Sequence, residues 1–220
     1  MKEYYEAYEE RYKTAHEFGV SWMSDEPTPI VLQTLEKMNI DKSAEILEIG
    51  CGEGRDARPV LEKGYNLLAT DISQEAVAYC AKRSPRFEKH FQWLNCIDGT
   101  LDKKFDFIYA IAVLHMFVLD EDRAAFYSFV KNHLAMNGVA LVCSMGDGQI
   151  EMCSDIATAF DLQERQHPSG IMKVAGTSCR MVSFAVFERE IEEAGLNIIE
   201  RGITQSMPEF NSLMYALIKA

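Results

Sequence analysis

Apolar and polar positions alternate at helical spacing in the first forty residues of this chain. Within residues 2–17 the apolar positions are separated by Glu and Lys, and they are Tyr5, Tyr8, Tyr12 and Ala15. This spacing predicts an amphipathic helix that ends near Gly19. A turn at 24–29 precedes a second predicted helix at about 30–38. We therefore expect an N-terminal helical cap over residues 1–40.

Between residues 45 and 144 short apolar segments alternate with helical ones. The pattern predicts strands at 45–49, 66–70, 91–95, 105–112 and 139–144, and helices at 55–62, 74–83 and 121–134. Asn137-Gly138 is predicted to stop the last of these helices. Strands that alternate with helices indicate βαβ units and a parallel sheet, which binds ligands at the carboxyl ends of its strands.

The alternation breaks down in residues 146–180. Five breakers punctuate this insertion, with a few helical turns predicted near 150–160: Gly146, Gly148, Pro168, Gly170 and Gly176. A long irregular segment is often a functional loop, so we expect the insertion, residues 146–182, near an active site. A helix at 184–194 follows, and two strands at 196–204 and 212–219, joined by a turn at 208–211, predict a final antiparallel hairpin.

The charge of the chain disfavours two classes of partner. It has 22 basic and 34 acidic residues, a net charge of −12, and so repels nucleic-acid phosphates and anionic membranes. The longest apolar run, 107–119, is too short to cross a bilayer, and the N-terminus lacks the pattern of a signal peptide. Since no two cysteines form a C-x-x-C pair, we predict no metal site and buried free thiols in a cytoplasmic protein.

The most informative motif is ILEIGCGEGRD, residues 46–56, in which a strand runs into a glycine-rich turn and then a helix. Glycines allow close approach of a ligand to the backbone, and a helix N-terminus favours negative ligand groups. The glycines Gly50, Gly52 and Gly54 have the spacing G-x-G-x-G, whereas dinucleotide sites have G-x-G-x-x-G. Bulky Arg55 also argues against close helix packing over a pyrophosphate.

Two acids accompany this turn. Asp71 ends the second strand, where a carboxylate accepts hydrogen bonds from both ribose hydroxyls; its alternative use is to cap the next helix. Glu48 lies within an apolar strand, and a buried acid requires a cation or hydrogen-bond donors. A ligand with a ribose, a sulfonium and an ammonium but no phosphate fits this set, and S-adenosylmethionine is such a ligand.

Three segments resemble the motifs of class I S-adenosylmethionine-dependent methyltransferases: ILEIGCGEGRDA, LLATDIS and FDFIYAIAVLHMF. The resemblance covers residues 45–145, and the form of residues 51–71 is most similar to the small tellurite-resistance and thiopurine methyltransferase branch. It implies a single α/β domain over residues 1–220. In that fold a doubly wound, mostly parallel seven-stranded Rossmann-like sheet ends in an antiparallel hairpin.

The resemblance also implies cofactor-binding residues. Gly50, Cys51 and Gly52 would contact the methionine part of S-adenosylmethionine through their backbone. Glu48 would act through the ammonium or through water, and the backbone at Ala110 and Ile111 would bind the ammonium. Arg55 would bind the carboxylate, unless Arg55 is simply solvated. Asp71 would hold the ribose, and Ile72 would pack on adenine. For the adenine amino group we predict Asn95, with the Cys96 or Ile97 N–H on the ring and Asp98 as the alternative.

The sequence indicates the acceptor-binding residues less clearly than the cofactor-binding residues. Two segments are predicted to lie over the methyl group as lids: the N-terminal region with Tyr8, Tyr12 and Trp22, and the 146–180 insertion. The alternative for the insertion is a surface excursion or a dimer contact. His115, at the end of the apolar fourth strand, is either a structural histidine or a catalytic base.

These features together predict methyl transfer from S-adenosylmethionine to a small-molecule acceptor. Residues 110–113 read AIAV where enzymes that methylate bases or glutamine amides have an Asn-Pro-Pro-Tyr-like turn, which argues against such acceptors. We expect a monomer or homodimer that binds neither nucleic acid nor membranes. The alternatives are a non-catalytic cofactor-binding sensor and, disfavoured by the glycine spacing, a nicotinamide-dependent oxidoreductase.

Overall fold

A seven-stranded sheet forms the centre of the structure, a computed structural model that describes residues 2–204 and 212–220. The strands are β1 Ile46–Ile49, β2 Leu67–Asp71, β3 Phe91–Trp93, β4 Phe105–Ile111, β5 Leu134–Met145, β6 Met152–Cys153, β7 Leu162–His167, β8 Gly170–Ala175, β9 Arg180–Met181, β10 Asn197–Thr204 and β11 Leu213–Lys219. The α-helices are α1 Ala7–Glu17, α2 Pro29–Lys37, α3 Ala57–Glu62, α4 Gln74–Arg83, α5 Asp120–His133 and α6 Phe184–Glu193. Strands β6 to β9 lie outside the central sheet.

The strand order in the central sheet is β10-β11-β5-β4-β1-β2-β3. Strands β1 to β5 pair in parallel, and β11 pairs antiparallel with both β5 and β10. This confirms the predicted fold class and the final hairpin, whose predicted turn at 208–211 lies outside the described residues. The chain direction across the sheet reverses between β1 and β4, so the expected ligand crevice opens at their carboxyl ends.

Apolar side chains cover both faces of the sheet. On β4, Ile108 and Ala110 belong to the core that contains α5 and α6, whereas Phe107 and Tyr109 belong to the core that contains α2 and α3. A strand buried on both faces has no polar alternation, which explains the continuous apolar run of this segment. Each large side chain buried in this way stabilises the fold by roughly 1.5–3 kcal/mol.

The predicted helix stop at Asn137-Gly138 is wrong. Helix α5 already ends at His133, and both residues lie within β5, where the pairing with β4 is irregular between Phe105 and Phe107. A Cβ atom on Gly138 would lie 2.7 Å from the Phe105 carbonyl oxygen. This glycine therefore permits a close approach of two strands rather than the end of a helix.

The prediction that the insertion is irregular is also wrong. Strands β7 and β8 form an antiparallel hairpin, β6 pairs with β9, and the helical content is one 3₁₀ turn at Ile156–Thr158. In β8, Met172 and Val174 are buried while Ile171 is exposed, which is the two-residue period of a strand. In the described ranges no helix is both long and apolar enough to cross a membrane.

Candidate functional site

A cavity opens at the carboxyl ends of β1 and β4, at the predicted crevice. Its wall consists of residues 48–53, 55–56, 71–72, 94–96, 111–113 and 116–117, together with Tyr5, Tyr8, Tyr12 and Met23. The wall thus brings together most of the predicted cofactor residues: Glu48, Gly50, Cys51, Gly52, Arg55, Asp71, Ile72, Asn95, Cys96 and Ile111. Four predicted residues lie outside it: Trp22, Ile97, Ala110 and His115.

The glycine-rich turn after β1 has a backbone that only glycine adopts readily. Gly50, Gly52 and Gly54 have φ angles of 73°, 51° and 81°. A Cβ atom on Gly50 would lie 2.3 Å from Val113 Cγ2, and one on Gly52 would lie 2.7 Å from the Tyr12 hydroxyl oxygen. The turn is therefore packed between the segment after β4 on one side and helix α1 on the other.

Asp71 links the end of β2 to this turn. Its Oδ2 accepts a hydrogen bond from the Gly52 N–H at 2.7 Å, and its Oδ1 accepts one from the Ser73 N–H at 2.8 Å. Helix α4 is capped by Ser73, whose side chain accepts from the Ala76 N–H, so capping is not the role of Asp71. Burial raises the pKa of Asp71 to about 6. The carboxyl group is thus held at the cavity wall in a position set by two backbone donors.

Glu48 lines the cavity and is 2% exposed. It accepts a hydrogen bond from the Tyr109 hydroxyl at 3.1 Å. Burial, assisted by the nearby Asp56 carboxylate, raises the pKa of Glu48 well above its usual range. A cation in the cavity would favour the charged form of Glu48, so this residue is suited to bind an ammonium group.

Arg55 and Asp56 form a second polar group in the wall. Asp56 accepts from the Thr28 N–H at 2.5 Å and from the Thr28 hydroxyl at 3.1 Å, which ties the start of α2 to the site. Arg55 donates to Asp56 through Nε and Nη2, both at 3.3 Å. Its Nη1 is buried and has no hydrogen-bond partner among the described residues. Since a buried donor normally has a partner, Nη1 is suited to bind an anionic ligand group.

Glu53 is a site residue that sequence reasoning missed. Its carboxylate accepts from the backbone N–H groups of Trp22 at 2.8 Å and Met23 at 2.7 Å, and it contacts His16. Its position between two glycines of the turn was the sequence feature that could have indicated it. In the structure Glu53 is 6% exposed. Glu53 joins the glycine-rich turn to the segment that connects α1 and α2.

At the predicted adenine end, Asn95 and Cys96 line the cavity, whereas Asp98 is exposed. The Asn95 Oδ1 accepts from the Ile97 N–H at 3.0 Å, so that N–H is already paired. The side chain of Asn95 also forms a hydrogen bond with the Tyr5 hydroxyl. These contacts favour Asn95 over Asp98 as the residue that faces a ligand here.

After β4, the wall is formed by residues 111–113 and by Met116 and Phe117. Ala112 adopts a left-handed backbone, with φ of 58°, and its N–H donates to the Cys143 carbonyl at 2.9 Å. His115 belongs to the intervening 3₁₀ turn but is buried outside the wall, where burial and the nearby Arg123 lower its pKa to about 4. The structure therefore does not place His115 as a base in the cavity.

Helix α1 and the 3₁₀ turn before it, Tyr4–Glu6, cover the cavity with three aromatic residues, Tyr5, Tyr8 and Tyr12. An adjacent face of α1 contacts the insertion, because Arg11 Nη2 donates to the carbonyls of Ala175 at 2.6 Å and Gly176 at 2.7 Å. In the described part of the insertion no residue reaches the wall. The insertion therefore packs against α1 instead of covering the cavity itself.

Trp22 belongs to this contact between α1 and the insertion. Its ring lies 4.8 Å from the Arg11 guanidinium and stacks on His167 with a centroid distance of 5.8 Å. The neighbouring residue, Met23, is the one that lines the cavity. The position of Trp22 corrects the expectation that its ring closes over a bound ligand.

The Arg11→Leu variant is expected to lose about 2–3 kcal/mol of unfolding free energy, because the Ala175 and Gly176 carbonyls lose their buried donors. Urea denaturation measures this loss, and hydrogen exchange should show faster exchange in residues 162–175. Lys13→Leu on the same helix is the control, since the Lys13 side chain is 45% exposed. Equal stability of the two variants would contradict the role given to Arg11.

The central part of the chain matches a known protein family. Residues 47–140 match the family model of a methyltransferase domain. The chain is 29% identical over 115 residues to the ubiquinone biosynthesis O-methyltransferase of Rickettsia conorii, which corresponds to 50% of this chain and 38% of that protein. The chain thus spans well under half the length of this curated relative.

Solved structures share the fold at low sequence identity. The CcbJ methyltransferase of Streptomyces caelestis matches with a TM-score of 0.71 and 14% identity, over 97% of this chain and 98% of that one. The 1,6-didemethyltoxoflavin-N1-methyltransferase of Burkholderia thailandensis, with bound 1,6-didemethyltoxoflavin and S-adenosylhomocysteine, matches with a TM-score of 0.64 and 15% identity, over 87% and 77%. The family match identifies a methyltransferase domain at residues 47–140, in agreement with the predicted enzyme class.

Proposed function

We propose that this protein transfers the methyl group of S-adenosylmethionine to a small-molecule acceptor. The observation that carries the proposal is the convergence, in one cavity, of the glycine-rich turn, the Asp71 carboxylate, buried Glu48 and the unpartnered Nη1 of Arg55. Each of these groups complements a different part of this cofactor.

The charge of the cavity wall supports this ligand. Among the described wall residues four are carboxylic acids and one is basic: Glu48, Glu53, Asp56, Asp71 and Arg55. A wall of this kind attracts a ligand with cationic groups and repels a pyrophosphate. The same balance disfavours a nicotinamide dinucleotide, in agreement with the spacing of the glycines.

Each part of the cofactor has a proposed partner. Glu48 would bind the ammonium, Arg55 Nη1 the carboxylate, and Asp71 the ribose hydroxyls. Adenine would pack on Ile72 and meet Asn95, with Cys96 in the same wall. Ala110 is buried within β4 outside the wall, so the ammonium role predicted for its backbone is better suited to Ile111.

When bound, S-adenosylmethionine supplies an electrophilic methyl group with a neutral thioether as the leaving group. The residues of the chain have to hold the acceptor in line with that methyl group and exclude water. Such positioning can supply effective molarities of about 10⁵–10⁸ M. The wall carboxylates already accept hydrogen bonds from the protein and His115 lies outside the wall, so we propose catalysis by positioning.

The acceptor region of the wall is apolar and aromatic, with Tyr8, Met23, Met116 and Phe117. It suits a small organic acceptor, and the resemblance to the tellurite-resistance and thiopurine branch makes thiols the first class to test. Four cysteines are buried and unpaired, namely Cys51, Cys80, Cys96 and Cys143, whereas Cys153 is exposed and Cys179 is intermediate. We propose a cytoplasmic, single-domain monomer or homodimer that does not bind nucleic acid.

Calorimetry and a turnover assay test this function. The protein should bind S-adenosylmethionine and S-adenosylhomocysteine, and it should release S-adenosylhomocysteine with at least one member of a panel of thiols, phenols and amines. Cofactor binding without turnover across the panel would favour the sensor alternative. Failure to bind either cofactor form, with binding of a nicotinamide dinucleotide instead, would contradict the proposal.

A further inference from the structure

Aromatic rings from two distant segments of the chain meet in the cavity wall. Tyr5, Tyr8 and Tyr12 come from the start of the chain, and Phe117 comes from the segment after β4. The rings of Tyr5 and Phe117 are in edge-to-face contact at a centroid distance of 5.5 Å, and those of Tyr8 and Tyr12 lie 5.7 Å apart. The face of an aromatic ring carries partial negative charge and attracts cations, so these residues favour positive charge on a ligand.

The ionisable groups of the wall disfavour an anionic acceptor. Arg55, the basic residue among them, already donates to Asp56, and its Nη1 is assigned to the cofactor carboxylate. Burial raises the pKa of Glu48 well above its usual range and that of Asp71 to about 6. A cation in the cavity would stabilise the ionised form of both acids, whereas an anion would destabilise it. The wall therefore suits an acceptor that is uncharged or becomes positive.

The described part of the wall also offers little that could remove a proton from an acceptor. It contains no histidine and no lysine. Burial raises the pKa of Tyr5 to about 12 and that of Tyr12 well above its usual range, so both phenols stay protonated at neutral pH. Contact with the Cys80 thiol and burial raise the pKa of Cys51, and burial raises that of Cys96 to about 12. An alcohol, phenol or thiol that has to lose a proton before it reacts is therefore poorly served here.

Methyl transfer to an uncharged nitrogen keeps one positive charge in the cavity. The lone pair of the nitrogen forms the new N–C bond, the C–S bond breaks with its electron pair left on sulfur, and the charge passes from sulfur to nitrogen. An aromatic ring nitrogen loses no proton in this step. A wall that stabilises the sulfonium can then stabilise the cationic product as well, whereas attack by an anion would remove the charge that the wall favours.

We propose that the methyl acceptor is a small aromatic heterocycle whose uncharged ring nitrogen becomes cationic on methylation. This inference rests on the proposed function, because the cofactor is taken to be S-adenosylmethionine. The heterocycle would lie among Tyr8, Met23, Met116 and Phe117, which provide aromatic and apolar contact without an acid or an amine. Thiols, the class that the resemblance suggests, are the contrasting class, since they react as anions.

The binding of three molecules of similar shape and different charge tests this preference. The protein is saturated with S-adenosylhomocysteine, and the affinities of N-methylquinolinium, 1-methylnaphthalene and 1-naphthoate are measured by equilibrium dialysis. S-Adenosylhomocysteine lacks the sulfonium charge, so the complex with N-methylquinolinium has the charge expected after methyl transfer. We expect the cation to bind about 10-fold more tightly than the neutral hydrocarbon, and the anion to bind most weakly.

Substitutions of Tyr8 test whether its aromatic face contributes to the preference. In Tyr8→Leu the affinity of N-methylquinolinium should fall about 5- to 10-fold while that of 1-methylnaphthalene changes less than about 2-fold. Tyr8→Phe restores the ring and should restore the preference for the cation. Phe18→Leu is the matched control and should keep the wild-type preference, because the Phe18 ring is 71% exposed and lies outside the wall.

Turnover completes the test. Release of S-adenosylhomocysteine is followed with quinoline, 2-naphthol and 2-naphthalenethiol, and the uncatalysed rate is subtracted. We expect kcat/KM for quinoline to exceed the other two values by at least about 10-fold, because the other two acceptors need a base. A higher kcat/KM for the thiol, or tighter binding of 1-naphthoate than of N-methylquinolinium, overturns the inference and leaves cofactor binding intact. Absence of S-adenosylhomocysteine binding overturns the proposed function and the inference with it.

Discussion

Gly52→Val is expected to abolish measurable binding of S-adenosylmethionine, a loss of at least about 100-fold. Gly52 has a φ of 51°, a conformation that costs a β-branched residue roughly 1–3 kcal/mol. The new Cβ atom would also lie 2.7 Å from the Tyr12 hydroxyl oxygen. The turn or helix α1 must then shift, and either shift changes the wall that faces the cofactor. Calorimetry with S-adenosylmethionine measures the effect.

Gly64→Val provides a matched control for this variant. Gly64 has a φ of 83°, but no atom lies within 4 Å of the position that a Cβ atom would take there. The substitution therefore imposes similar backbone strain without a collision, and it should lower the melting temperature while it leaves cofactor affinity within about 2-fold. A folded Gly52→Val protein with normal affinity would show that close approach at this turn is not required.

Asp71→Ala is expected to weaken S-adenosylmethionine binding by about 2–3 kcal/mol, roughly 30- to 150-fold, because two charged hydrogen bonds to the ribose are lost. The Gly52 and Ser73 N–H groups also lose their acceptor. Asp71→Asn retains one carbonyl oxygen for these donors, so it should bind the cofactor better than the alanine variant does. Calorimetry near pH 7.5, together with thermal unfolding, measures binding and stability separately.

The pH dependence of cofactor affinity in the same variants tests whether Asp71 must be ionised to bind the cofactor. Because burial raises the pKa of Asp71 to about 6, the wild type should lose affinity as the pH falls from 7 to 5. Asp71→Asn has no group to titrate at this position and should show no such decrease. An equal loss of affinity at low pH in both proteins would assign this loss to a residue other than Asp71. Unchanged affinity in Asp71→Ala would show that Asp71 does not bind the ribose.

Much of the fold follows from local pattern in the sequence. The apolar period identifies the strands of the sheet, and the alternation with helices indicates parallel pairing, because a crossover helix must lie between parallel strands. The G-x-G-x-G turn and the acid that ends β2 are also adjacent in any such sheet, since β1 and β2 are neighbours. Residues on neighbouring strand ends, such as Gly52 and Asp71, are therefore predictable as a pair.

Predictions from the sequence are wrong where one residue type has two structural uses. Asn137-Gly138 is typical of the end of a helix, yet Gly138 allows β5 to pass close to the Phe105 carbonyl. The alternation in Gly170–Ala175 is short and interrupted by breakers, so the hairpin resembled irregular structure. Glycine and proline mark a change of direction, but the partner that decides between a turn and a close approach lies elsewhere in the chain.

The residues that cover the cavity depend on contacts between distant segments. Helix α1 is recognisable from its period. Only the docking of α1 and of the turn before it shows that Tyr5, Tyr8 and Tyr12 line the cavity while Arg11 binds the insertion. The choice between Met23 and Trp22 depends likewise on the two N–H groups that Glu53 binds.

Local periodicity and motif spacing were therefore sufficient for the sheet, the glycine-rich turn and the cavity residues attached to it. The tertiary structure alone decided which side of α1 faces the ligand, the exclusion of His115 from the wall, and the meeting of Tyr5 and Phe117 in the wall. The physical reason is that secondary structure and its immediate turns depend on neighbours along the chain. The docking of a separate helix depends instead on which buried polar groups find partners across large separations in sequence.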